Sequence, residues 1–258
     1  MLISEKLRNP ENLLLAMAFI MPLVFSVWMA MLNNFVIEQA NFTGIEIGIL
    51  QSLREIPGFL AFTAIYVLLF IKEQKLALLS LGLTSLGVAA TGFFPSVVGL
   101  YLTTVIMSVG FHYFETVNQS LTLQWISKDK TAHFLGRALS VKSIASLLAF
   151  GSIWVLMEQF EWSYQATYLL FGGIALVFTI ALVISFPSFV PPVEQSRRLI
   201  LRKRYLLFYA LTFFSGARRQ IFVVFAGFLM VEKFNYSVAD VSALFMINYV
   251  FNWLFAAK

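Results

Sequence analysis

The segment EQANFTGIEIGIL at 38–50 returns as EKFNYSVADVSAL at 232–244. An offset of 194 residues aligns Glu38 with Glu232, Asn41 with Asn235, Phe42 with Tyr236 and Thr43 with Ser237. The same offset pairs Glu46 with Asp240, Ile47 with Val241 and Leu50 with Leu244. Asn-aromatic-Thr/Ser, with a carboxylate three residues after the hydroxyl, reads as a helix N-cap completed by a capping box. Any two helix starts can share a cap. A glutamate kept at the same upstream distance in both goes beyond it, so the pattern predicts an internal repeat.

Outward from these segments the chain is apolar. It has 258 residues, 60% hydrophobic and 12% charged, where a soluble domain carries about 25% charged residues. The stretches 13–37, 76–114 and 162–193 contain no Asp, Glu, Lys or Arg. A helix needs about 20 apolar residues to cross a bilayer, and 76–114 is long enough for two, divided at Phe93-Phe94-Pro95-Ser96. Eight spans are expected, over 12–34, 45–71, 76–94, 97–126, 137–157, 165–186, 205–231 and 238–257. The first run lacks a small-residue cleavage site and exceeds a signal-peptide core, so it reads as a retained helix. The absence of cysteine excludes disulfides and thiolate metal sites.

The net charge of +5 would suit nucleic acid if it formed a patch, but the basic residues alternate along the chain. Lys6, Arg8, Lys72, Lys75, Lys128, Lys130, Arg137, Arg197, Arg198, Arg202, Lys203 and Arg204 fall on one side, and Lys233 alone on the other. Basic loops stay in the cytoplasm. The N-terminus and the segment 187–204 are therefore expected there, in a multi-pass protein of the cell membrane, with a bacterial inner membrane as the expected location. No nucleic-acid partner is expected.

Six spans, a basic Pro-rich linker, and a second copy that starts in the same orientation resemble the major facilitator superfamily of secondary transporters. The resemblance implies an all-α integral membrane bundle with a 6+6 parallel repeat, here truncated after the eighth span. Its parts are a six-helix half at 1–186, a cytoplasmic linker at 187–204 and an incomplete second half at 205–258. It also implies alternating access, a small-molecule substrate, a monomer in the lipid bilayer and no cofactor. The loop 69–75 keeps the basic character of the family's signature there and lacks its glycines. The fifth span lacks the Gly-Pro of the proton antiporters.

Charges within apolar spans cost at least about 2.5 kcal/mol each on insertion scales, so those present need a reason. Arg54 and Glu55 lie outward of the middle of the second span, His112 and Glu115 near the middle of the fourth, and Arg218 and Arg219 near the middle of the seventh. Lys142 is placed early in the fifth span, where it would snorkel. Ser108, His112, Glu115, Gln119 and Thr122 share one helical face bordered by Asn118. Hydrogen-bonded contact between helices explains Ser108 and Thr122 equally well. Arg218, Arg219, Arg54, His112, Glu115, Gln119 and Asn118 are the candidate substrate-binding residues. Arg54, Arg218 and Arg219 outnumber Glu55 and Glu115, which favours an anionic substrate held by a guanidinium fork. Alternatively, both arginines of the seventh span pair with Glu55 and Glu115. Glu115, His112 and Glu55 are the candidate proton-coupling groups, with the proton as coupling ion. His112-x-x-Glu115 suits a metal in spacing, but His133, the other histidine, is expected in a loop, and no metal is expected.

Two other functions remain open. One is a lipid-modifying membrane enzyme using His112 and Glu115 as acid and base. The other is a membrane receptor that transports nothing. The parallel repeat and the mid-membrane depth of the charges favour a transporter over an enzyme.

Overall fold

Asn9 and Pro10 start the first helix. The Asn9 side chain accepts the Asn12 N–H at 2.8 Å, and Pro10 fills the first helical position, where a missing N–H costs nothing. In a computed structural model, residues 7–190 and 202–255 are described, with side chains at all of these except 217–223 and 252–255. The helices in chain order are α1 (Pro10–Ala40), α2 (Gly44–Phe59), α3 (Ala64–Val67), α4 (Glu73–Thr91) and α5 (Val97–Trp125). They continue with α6 (Lys128–Trp154), α7 (Tyr164–Ser185), α8 (Leu206–Phe234) and α9 (Val238–Phe255). There is no strand among the described residues. Four helices are long and apolar enough by length and composition to cross a membrane: α1, α5, α6 with the turn that follows it, and α7.

Two spans differ from expectation. The second does not run unbroken over 45–71. Pro57 and Gly58 stand at the end of α2, and the chain passes through a 3-10 turn, Ala61–Thr63, into the short α3. Proline lacks the N–H that continues a helix, and glycine adds conformational freedom beside it. The fifth span starts at Lys128, nine residues before the expected 137. His133 is thus helical and exposed, not in a loop. Lys142 lies fourteen residues into α6, about 21 Å along the axis from the helix start, and the residues 128–136 that precede the expected span make up nine of these.

α1 is the hub, packing on α4, α5, α6 and α7, with Leu13, Met17, Val24, Val27, Met31 and Val36 wholly buried. α4 is clasped between α5 and α7 by glycine. A Cβ at Gly110 would lie 2.5 Å from Ser80 O, one at Gly87 2.6 Å from Met107 N, and one at Gly172 2.6 Å from Ala89 N. Close backbone approach of this kind drives helix association in lipid. The buried hydroxyls of α4 bond their own helix, with Thr84 donating to Ser80 O at 3.0 Å and Ser85 to Leu81 O at 2.8 Å. They therefore place no unpaired donor in the apolar interior.

The repeat is visible atom by atom. Asn41 (φ 51°, ψ 41°) ends α1 and Asn235 (φ 54°, ψ 36°) ends α8, both left-handed. Phe42 N–H donates to Val36 O at 3.0 Å, and Tyr236 N–H to Met230 O at 3.2 Å. Thr43 N–H donates to Glu46 Oε2 at 2.8 Å, and Ser237 N–H to Asp240 Oδ2 at 2.9 Å. The sequence reading placed these asparagines in an N-cap. They are instead C-caps of the preceding helices, and Thr43 and Ser237 begin the next. Left-handed backbone costs an ordinary L-residue roughly 1–2 kcal/mol, and asparagine or glycine less. Asn41→Val and Asn235→Val are each expected to lower stability by about 1–2 kcal/mol, whereas Asn41→Gly and Asn235→Gly hold it. Thermal unfolding in detergent measures both pairs, and matched losses at the two sites are the signature of the repeat.

α8 and α9 meet the six-helix unit at the end carrying these turns. Buried Asn34 donates through Nδ2 to Tyr236 O at 2.8 Å. A Cβ at Gly227 would meet Asn33 Nδ2 at 2.9 Å. Phe150 of α6 packs on Phe245 and Tyr249 of α9, at ring separations of 5.2 and 5.4 Å. The buried side chains Val224, Phe228, Val231, Val238, Ala239, Val241 and Ser242 all lie toward that end. At the opposite, linker end, every residue of 206–216 is exposed except the half-buried Ala210.

Candidate functional site

The polar face of α5 meets α2 first. Ser108 Oγ donates to Arg54 O, which assigns Ser108 to helix-to-helix contact. One turn on, His112 lies against the bare backbone of Gly58. A Cβ there would be 2.7 Å from its Cε1 and 2.9 Å from its Nε2. The break in the second span thus makes the space that the imidazole fills. Arg54 turns back along its own helix, donating from Nε and Nη2 to Glu55 Oε1 at 3.0 and 2.6 Å. Its guanidinium also covers the Trp28 ring, with Cζ 5.7 Å from the centroid. A cation over an indole face is attracted by the ring quadrupole.

An aromatic row continues from Trp28. Phe25 lies 6.0 Å from Trp28 and stacks on Phe111 at 4.3 Å, and Phe111 meets His112 edge-on at 5.1 Å. Helices α1, α2 and α5 therefore hold a continuous shell of Trp28, Phe25, Phe111, His112, Arg54 and Glu55. Of these, sequence reading assigned roles to the charged residues and His112. Phe25, Phe111 and Gly58 carried no signal among 28 phenylalanines and 14 glycines.

One turn beyond His112, Glu115 faces α6, and Lys142 Nζ stands 3.8 Å from its Oε1. Both side chains are more than a third exposed, so this is a loose, solvated pair, worth little to stability. It is still the one cross-helix contact of opposite charges at mid-span among the described residues. Asn118 Oδ1 is buried without a partner among the described atoms, while the Asn118 backbone carbonyl accepts from Thr122 Oγ1 at 2.8 Å. Gln119 is exposed. The stripe thus divides into a helix contact (Ser108), a backbone-bonded hydroxyl (Thr122) and open polar groups (Glu115, Asn118, Gln119). Arg218 and Arg219 lie on α8, with side chains outside the described residues. Glu55 and Glu115, their alternative partners, already have cations in Arg54 and Lys142.

No family model and no curated protein matches the sequence. A solved structure does match in shape. The nucleoside transporter NupG superposes with a TM-score of 0.70 at 18% identity, over 96% of this chain and 66% of that one. The chain has a membrane-transporter fold. At that identity the likeness is one of backbone course, so the side chains of the site have to be read on their own chemistry. The present chain spans about two thirds of the length of the matched one.

Proposed function

We propose that the protein is a secondary active transporter of a small organic anion, working by alternating access in the major facilitator manner and coupled to protons. The observation that carries the anion reading is the state of the two deep carboxylates. Glu55 holds Arg54 at 2.6 Å and Glu115 faces Lys142 at 3.8 Å. Both carboxylates thus have cations of their own, which supports a role for Arg218 and Arg219 toward a negative charge from outside the protein. Adjacent helical residues point about 100° apart, so at most one of the two would meet that charge squarely. The halves at 1–186 and 205–258, joined by the linker at 187–204, would be the moving bodies. We place the N-terminus and linker in the cytoplasm, in a bacterial inner membrane, on the charge asymmetry of the loops.

A second substrate class is favoured by the aromatic row. Phe25, Phe111 and His112, each half-buried, are flat groups of the kind that hold a nucleobase, and a nucleoside transporter shares the fold. The lipid-enzyme alternative is weaker, because His112 is packed on the Gly58 backbone at mid-span.

Ligand-induced thermal stabilisation of the native protein separates the classes. Mono- and dicarboxylates and sugar phosphates are screened beside nucleosides. A ligand at one hundred times its Kd stabilises by about 2.7 kcal/mol. The expected outcome is stabilisation by an anion, with a loss of about tenfold or more in affinity in Arg218→Ala or Arg219→Ala. Stabilisation by nucleosides alone, untouched by both substitutions, replaces the anion with the second class.

A further inference from the structure

α1 is a buried helix with one open stripe. Between Met17 and Val36 the half-buried residues are Phe19, Pro22, Phe25, Met29 and Asn33, and every other residue is buried. Steps of three and four residues keep the five on one helix face. The first four are apolar.

Two sets of contacts show what the stripe faces. At its outer end Asn33 meets Gly227, its own counterpart at the 194-residue offset. Positions related by a two-fold touch each other only where the axis passes between them. α1 and α8 therefore face each other across the axis of the repeat. Further in, Phe25 stacks on Phe111 of α5 at 4.3 Å, and the next residue, Ser26, donates to Ser146 of α6 at 2.9 Å. One turn beyond these contacts, Glu115 of α5 and Lys142 of α6 approach each other at 3.8 Å. α6 runs parallel to α1 and α5 antiparallel, so the same step along α1 leads from Phe25 to Pro22. The charged pair thus joins α5 to α6 at the level of the stripe. A lipid face looks different in this molecule. Val177, Val183 and Ile184 on the outer side of α7 are 65, 56 and 71% exposed, whereas the stripe is recessed.

Resting on the transport reading above, we propose that Phe19, Phe25 and Met29 form an apolar wall of the space between the two units, and that the substrate joins an apolar or flat part to its anionic group. The wall offers an anion without such a part nothing to bind. Each methylene that a ligand buries against it adds about fourfold in affinity. Charge then decides that a ligand enters, and the α1 stripe decides which anion stays.

The sequence has no cysteine, so a single introduced thiol reports its own surroundings. Met29→Cys and Val177→Cys are compared in membrane vesicles with a cationic methanethiosulfonate, which reacts in water. Labelling of Met29→Cys is expected to be about tenfold or more faster, although Val177 is the more exposed side chain. Equal or slower labelling overturns the placement. Acetate, isovalerate and phenylacetate then share one carboxylate and differ in apolar bulk. Thermal stabilisation of the native protein is expected at about tenfold or more lower concentration of phenylacetate than of acetate. Met29→Asn and Phe19→Asn are expected to remove that preference and leave acetate as it was. Equal potency along the series, or tighter binding of dicarboxylates and sugar phosphates than of phenylacetate, overturns the apolar part of the substrate. Binding of nucleosides alone, weakened in Met29→Asn, keeps the wall and removes the anion. If nothing binds the parent protein, the transport reading is what fails, and the two labelling rates still decide where the stripe lies.

Discussion

Gly110→Leu is expected to prevent α4 and α5 from closing on each other, leaving little monodisperse protein after detergent extraction. The obstacle is backbone. A Cβ at Gly110 would be 2.5 Å from both Ser80 O and Thr84 N, and neither can rotate away as a side chain would. Overpacking a core costs about 1–3 kcal/mol when side chains can adjust, so a leucine against main-chain atoms belongs at or above the top of that range. Gly172→Leu has the same expectation, because its Cβ would meet Ala89 N and Cα at 2.6 and 2.7 Å. Gly173→Leu is the internal control. Nothing lies within 4 Å of its Cβ position, and replacing a helical glycine there gains roughly 0.5–1 kcal/mol of helix propensity. Size-exclusion profiles and melting curves of the three variants give the comparison. If Gly172→Leu and Gly173→Leu behave alike, the close crossing of α4 and α7 is wrong.

Glu115→Gln is expected to remove the dependence of uptake on a pH gradient, lowering gradient-driven uptake about tenfold or more, while the protein stays folded. Glu115 and Lys142 form a loose pair between α5 and α6. Protonating the carboxylate releases the ammonium, and a pair shared by two helices is where one proton can bias their relative position. Glutamine mimics the protonated state and holds it permanently. Because the pair is solvated, the substitution should move the melting temperature little, which separates coupling from stability. Uptake in Glu115→Gln that still follows the gradient assigns the proton elsewhere, with Glu55 and His112 next in line. Lys142→Gln serves as the reciprocal variant, leaving Glu115 without its cation.

The fold was legible from three features of the sequence: uncharged runs long enough to span, basic residues that alternate with them, and one repeated thirteen-residue segment. Each reflects a global constraint, since a bilayer imposes length and a duplicated unit keeps its turns. The break after Pro57 was less legible. A proline inside an apolar run either kinks a helix or ends it, and the packing of His112 on Gly58 beside it is a tertiary contact that local sequence does not announce. The early start of α6 was hidden for another reason. Residues 128–136 are polar and read as loop, yet a helix that extends beyond the apolar slab is as stable there as within it. Within that longer helix Lys142 stands opposite Glu115 and gives it a partner that the sequence had not offered. The close crossings at Gly87, Gly110 and Gly172 were not legible, because which neighbour a glycine faces is decided by the packing of helices distant in sequence. The aromatic row of Phe25, Trp28 and Phe111 was not legible, because stacking depends on the rotation of α1 against α5, and α1 has no polar stripe like that of α5 to fix it.

The central claim is that two like-oriented copies of a helical unit move a small molecule between them. Its most direct test is substrate counterflow with the native protein in liposomes preloaded with unlabelled compound, in parallel for organic anions and nucleosides. Labelled compound of one class is expected to accumulate transiently inside, an anion on the charges of Arg218 and Arg219, and Arg218→Ala with Arg219→Ala is expected to abolish the overshoot. Exchange no faster than in protein-free liposomes for every compound of both classes would contradict it.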